Sequence, residues 1–147
     1  MYRLYPDFLA GRAAIGLLFL RVVVGTALML HGWSKIQHPF SWMDKMPNPA
    51  PAPLQALAAI SEFGGGLALL LGLLTPIAML GVMSTMIGAF LIRHRNDPWV
   101  NPGGRSFELP SLYLAMAIMF IIVGPGIYSL DAMLFGKKRS GSRSMFK

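Results

Sequence analysis

Arg21, His31 and Lys35 lie in one hydrophobic stretch, Glu62 lies in a second, and His94 follows a third. Glu108 opens a fourth. An arginine at bilayer depth costs at least ~2.5–3.5 kcal/mol, so it needs a partner or a watery cavity. A buried carboxylate has the same need, and a guanidinium can bond it bidentately. Such a pair can hold a polar head group or relay protons; it can also do no more than fix helix register.

The elements that must position these groups are spanning helices. A span takes roughly 20 apolar residues, because each rises ~1.5 Å against ~30 Å of hydrocarbon. Apolar blocks at about 13–32, 54–72, 77–93 and 109–124 fit that pattern. The first is longer than a signal peptide, is interrupted by Arg21, and ends in HGWSK without a small-residue cleavage site, so it reads as a retained helix. Ile36–Pro53 holds five prolines, which exclude a continuing helix and leave a loop with a hydrophobic face on the membrane surface. Between the second and third blocks, Gly72 reads as a helix stop, Thr75 as an N-cap and Pro76 as the first helical residue. A turn this short makes the two helices antiparallel. Asn101-Pro102-Gly103-Gly104 marks another turn, and Ser129 is placed to cap a short surface-lying helix through Phe135.

The fold class expected is all-α, an integral membrane four-helix bundle with antiparallel spans. Residues 1–12 form a lead, 13–135 one compact domain and 136–147 a basic tail. Of the 147 residues, 54% are hydrophobic and 13% charged, too apolar for an ordinary soluble domain of this size. The net charge of +7 sits at helix ends and in the tail, so its partner is the lipid bilayer and not nucleic acid. Four spans put both termini on one side, with seven Lys and Arg there against five on the loop side. That excess places the termini in the cytoplasm. There are no cysteines, which removes thiolate, iron–sulfur and protein-disulfide chemistry.

Seven residues make almost two helical turns, so Arg21, Leu28 and Lys35 share a face with Gly25 and Gly32, and His31 sits at its edge. Glu62 shares a face with Gly65, Gly66 and Leu69. Small residues beside charges mark packing faces. Counted back from His31, Arg21 lies ~15 Å from the loop side, and Glu62 lies ~12 Å from it. The expected intramembrane pair is therefore Arg21 with Glu62. His31, Lys35, His94, Arg95 and Glu108 would form a polar mouth above it. His31 and His94 could bridge a haem or metal, but histidines at helix ends are more often solvated, and no metal site is assigned. Trp33, Trp42 and Trp99 read as interfacial anchors.

These residues resemble the DoxX family of small four-span membrane proteins. The first block is similar to the family's LR…G…HG…K pattern in Leu20-Arg21, Gly25, His31-Gly32 and Lys35. The second is similar to its E-x-x-G-G…G-L-x-T/R motif in Glu62, Gly65-Gly66, Gly72-Leu73 and Thr75. Gly124-Pro125-Gly126-Ile127-Tyr128-Ser129-Leu130-Asp131 resembles its G-P-G-x-x-S-L-D ending. The resemblance implies a four-helix inner-membrane protein linked to thiosulfate:quinone oxidoreductase and to other membrane oxidoreductase complexes.

Residues and resemblance together point to a redox-associated subunit binding a quinone or other hydrophobic molecule near Arg21 and Glu62. His31, Lys35, His94 and Glu108 would gate the site or relay protons. No redox centre is visible in the chain, so electrons would come from a partner oxidoreductase subunit or a bound cofactor. The cofactor stays open, with quinone the candidate. The other reading is a non-catalytic structural or assembly subunit of a larger membrane complex. A transporter would show an inverted repeat or broken helices, which the sequence lacks.

Overall fold

The computed structural model describes residues 7–136. The lead residues before Asp7, with Arg3, and the tail from Lys137, with most of the charge in the positive-inside argument, lie outside the described residues. Four helices carry the architecture: α1 (Gly11–Gln37), α2 (Ala52–Leu71), α3 (Thr75–Arg93) and α4 (Glu108–Val123). A short α5 (Leu130–Phe135) follows. Successive helices pack against each other, and all four long ones feed one core containing Leu28, Leu69, Met79, Val82, Ala117 and Phe120. Most of the outer surface is apolar: Phe19, Leu30, Leu57, Leu91 and Ile122 are all exposed. An apolar core inside an apolar shell is what a bilayer selects.

Three helices, α1 to α3, are long and apolar enough to cross a membrane. At 16 residues, α4 rises only about 24 Å and falls short of a full hydrocarbon core. The chain is thus an all-helical membrane protein with three clear spans and a shorter fourth apolar helix. At its other end α1 continues past Gly32 to Gln37, so His31 and Lys35 lie within the helix.

The tightest packing is between α1 and α2, and it rests on glycines. A Cβ on Gly66 would come within 2.8 Å of the Gly25 carbonyl and the Met29 amide. A Cβ on Gly32 would lie 2.5 Å from the Phe63 amide. The backbones touch, as small residues allow in membrane bundles. This crossing fixes the antiparallel register of the two helices.

The turn between α2 and α3 is closed differently from the sequence expectation. Gly72 stops α2 in the left-handed region (φ 65), and the Leu73 amide donates to the Ala68 carbonyl at 2.9 Å. Thr75, however, is not the N-cap. Its hydroxyl is buried without a partner among the described residues, and Leu74 precedes it at φ 47, a conformation costing about 1–2 kcal/mol for a residue with a Cβ. The cap comes from Asp131, whose carboxylate accepts from the Leu74 amide at 2.7 Å and the Thr75 amide at 2.9 Å. An acid at a helix start also meets the positive end of the dipole.

Ser129 caps α5 as expected, accepting from the Ala132 amide at 3.1 Å. Yet α5 does more than rest on a surface. Its first turn plugs the end of the bundle, with Asp131 fully buried and the Asp131 amide donating to the Gly72 carbonyl at 2.8 Å.

The proline-rich connection is also held. Gln55, 2% exposed, accepts from the Met43 amide at 2.8 Å and donates to the Ala50 carbonyl at 2.8 Å. The Trp42 indole donates to the Gln55 carbonyl at 2.9 Å. These bonds fold residues 38–51 over the ends of α2 and α3. Gln55→Ala should cost about 2 kcal/mol and free this loop, so tryptic cleavage after the exposed Lys45 should speed up by about tenfold or more. An unchanged cleavage rate would show that the latch holds nothing.

Candidate functional site

The expected Arg21–Glu62 pair does not form. The glycine-set register places Arg21 beside the C-terminal end of α2 and Lys35 beside Glu62. Depth counted from His31 started too early, because α1 runs six residues further, about 9 Å. Long side chains also lean toward the N-terminus of their own helix, which carries the guanidinium away from Glu62.

Arg21 instead ties backbone together. It is 1% exposed and donates to the carbonyls of Leu69 (2.8 Å), Leu70 (2.9 Å), Tyr128 (2.5 Å) and Pro125 (3.3 Å). Two of these acceptors belong to the last turn of α2, where a cation is favoured. The other two belong to the Gly124–Ser129 connection. Asp131 lies close enough to act on Arg21 electrostatically. Gly72 completes the cluster, since a Cβ there would lie 2.5 Å from the guanidinium. Every guanidinium nitrogen is engaged by protein, which makes this end a structural knot.

The chemistry gathers at the opposite end. The Lys35 ammonium bonds both carboxylate oxygens of Glu62, at 2.6 and 2.5 Å, and lies 4.7 Å from the centre of the Trp42 ring. Glu62 is 4% exposed, so its charge is tolerable only because Lys35 meets it. Trp42 therefore serves as the floor of this site. Trp33 and Trp99 remain exposed, against Phe63 and Phe107 respectively.

Two cavities flank the pair. The larger, about 570 Å³, opens between α2 and α3 beneath the proline-rich loop and is lined by Leu57, Ser61, Thr85, Gly88 and Ile92 among others. The smaller, about 370 Å³, lies between α1, α3 and α4 and is lined by His31, Met86, Ser106 and Tyr113 among others. Lys35, Glu62, Ala89, His94 and Arg105 belong to both. A largely apolar cavity that reaches an ion pair with a buried carboxylate suits an amphipathic molecule, and its volume is in the range of small-ligand pockets.

The other expected residues divide. His31 packs edge-on against Tyr113, 5.8 Å between ring centres, and faces the smaller cavity. His94 lines both cavities, with Nδ1 2.9 Å from the Asp97 carboxylate. Glu108 is exposed at the first turn of α4 and lines neither cavity. His31 and His94 are thus engaged with separate partners. Among the described residues, no group of three or more His, Cys, Asp or Glu is placed to hold a metal ion.

Sequence reasoning missed Trp42, Gln55, Arg105, Tyr113 and the role of Asp131. Arg105 closes the mouth: it bonds the Arg93 carbonyl at the end of α3 and lies 3.4 Å from the Asp97 carboxylate. A signal existed for Asp131 alone. It is the only acid after Glu108, so it was available to balance a buried arginine.

A profile of the DoxX family matches residues 16–95, which include both members of the ion pair and the α1–α2 glycine crossing. Inner membrane protein YqjF of Escherichia coli is 31% identical over 126 residues, covering 82% of this chain and 92% of that protein. CatD of Bacillus subtilis, whose name places it provisionally among oxidoreductases, is 29% identical over 131 residues, covering 88% of this chain and 95% of CatD. An uncharacterized protein of Haemophilus influenzae is 31% identical over 128 residues, with 82% and 92% covered. No solved structure matches the chain at a significant level. By its matched motifs and by likeness along most of its length, the chain belongs to the DoxX family.

Proposed function

We propose that this chain is an oxidoreductase-associated subunit of the bacterial inner membrane that binds a quinone or similar amphipathic molecule in the α2–α3 cavity. The polar head would sit at Lys35 and Glu62, and the tail would run along α3. One observation carries this reading: the Lys35–Glu62 pair, its carboxylate buried, stands between two cavities, not in solid packing. The name of CatD supports the redox association, and that of YqjF the membrane.

Reducing a quinone takes two electrons and two protons. The electrons come from a partner oxidoreductase chain, since nothing in this one is built to carry them. In this chain the Lys35 ammonium donates a hydrogen bond to the head, and the Glu62 carboxyl holds or releases a proton beside it. His94 and Arg105 guard the mouth.

The same reading takes residues 13–135 as one four-span domain. Here α4 crosses with help from the chain on either side, and both termini face the cytoplasm. An impermeant thiol reagent applied to whole cells should then label a cysteine introduced at Lys45, and failure to do so would reverse the orientation.

Gly88 offers a clean test of the ligand site. A Cβ there meets nothing within 4 Å, so a larger side chain enters the cavity without disturbing the helices. Titration with a short-chain ubiquinone, followed by quenching of Trp42 in a Trp33→Phe/Trp99→Phe background, should saturate. Gly88→Leu should weaken that binding by about tenfold or more with an unchanged elution profile. Equal binding by both proteins would remove the α2–α3 cavity from consideration. The alternative, a purely structural subunit, draws its support from the Arg21 knot, which lines neither of the two cavities.

A further inference from the structure

The smaller cavity has a character of its own. Tyr113 is 9% exposed, and its hydroxyl makes no hydrogen bond to protein among the described residues. The His31 ring nitrogens and the Ser106 hydroxyl, on the same cavity, also have no protein hydrogen-bond partner among the described residues. Tyr113 is buried, Ser106 half-buried and His31 exposed, so these polar groups line a space that opens outward, and water in it is what satisfies them. A cavity of about 370 Å³ has room for several waters, each able to find polar partners. Glu62 lies at its inner end, and the 94–107 loop, through Gly104, Arg105 and Ser106, forms its outer rim.

We propose that this cavity is an aqueous vestibule, open on the side of the 38–51 and 94–107 loops, that puts Glu62 in contact with bulk water. The apolar chamber between α2 and α3 meets the bilayer, and the vestibule meets the solvent. The Lys35–Glu62 pair divides them. A proton taken from bulk water crosses the vestibule waters to the Glu62 carboxylate, and His31 and Tyr113 flank that path. Use of the proton on a ligand rests on the function proposed above, but the water path itself does not.

The absence of cysteine makes the path directly measurable. Only a thiolate in contact with water reacts with a charged methanethiosulfonate reagent. Met86 lies deep in this cavity, Ala89 borders it, and the adjacent Ile87 is exposed on the lipid-facing surface and lines neither cavity. In membranes, Met86→Cys and Ala89→Cys should be modified about tenfold or more faster than Ile87→Cys. Two positions guard against one variant misfolding, and each is checked by its elution profile. Equally slow modification of all three would overturn the vestibule, whatever the ligand measurements show. A wet vestibule with no quinone binding would instead remove only the redox reading.

Discussion

Arg21→Met should cost the protein its fold. The substitution withdraws the donor from the Leu69, Leu70, Pro125 and Tyr128 carbonyls and leaves Asp131 without its nearby positive charge. A hydrogen bond from a charged donor is worth about 1.5–3 kcal/mol, so losing the four is on the order of 5 kcal/mol or more. That rivals the whole margin of a small protein, commonly about 5–15 kcal/mol. In detergent, the midpoint of a thermal ramp followed by size exclusion should fall by about 15 °C or more. Arg21→Lys should fall between the two, because one ammonium cannot replace a fork that reaches two strands of backbone. A midpoint within about 2 °C of wild type would mean the knot contributes little to stability.

The opposite end should behave differently. Lys35→Met leaves the Glu62 carboxylate buried alone and should destabilise the protein by about 3–5 kcal/mol. Adding Glu62→Met removes that orphan charge and replaces the pair by apolar groups of similar volume. Such replacements are often neutral or stabilising, so the double variant should regain most of the lost stability. It should not regain ligand binding. If the pair only holds helices together, the double variant would instead match wild type in both stability and ligand content. Thermal ramps on both variants and wild type, with Glu62→Met to close the cycle, measure the coupling.

Much of this arrangement was legible in the sequence. The face bearing Arg21, Gly25, Leu28 and Gly32 is buried, as is the face bearing Glu62, Gly65, Gly66 and Leu69. Helical period alone gives that result, because charges and glycines gathered on one side of an apolar helix have to face protein. Gly72 and Ser129 were legible for a similar reason, since each acts on the residues beside it. Pairing across helices was not. It depends on register, and register came from which glycines touch and from α1 continuing through polar residues to Gln37. Hydropathy ends a helix where the apolar run ends, but Lys35 is carried inward by Glu62 and the helix runs on. Asp131 caps a helix that starts more than fifty residues earlier, and Gln55 pins a loop with no period. Contacts of that kind follow from assembly and not from local pattern.

The account turns on Lys35–Glu62 holding a ligand while Arg21 holds the fold. The most direct test is to purify the protein gently and quantify its retained small molecules by mass spectrometry, comparing wild type with the Lys35→Met/Glu62→Met variant. The account predicts a quinone or similar amphipathic molecule at about one per wild-type chain, and its loss from a variant that elutes and melts like the parent. The same molecule retained at the same level by the double variant would contradict it.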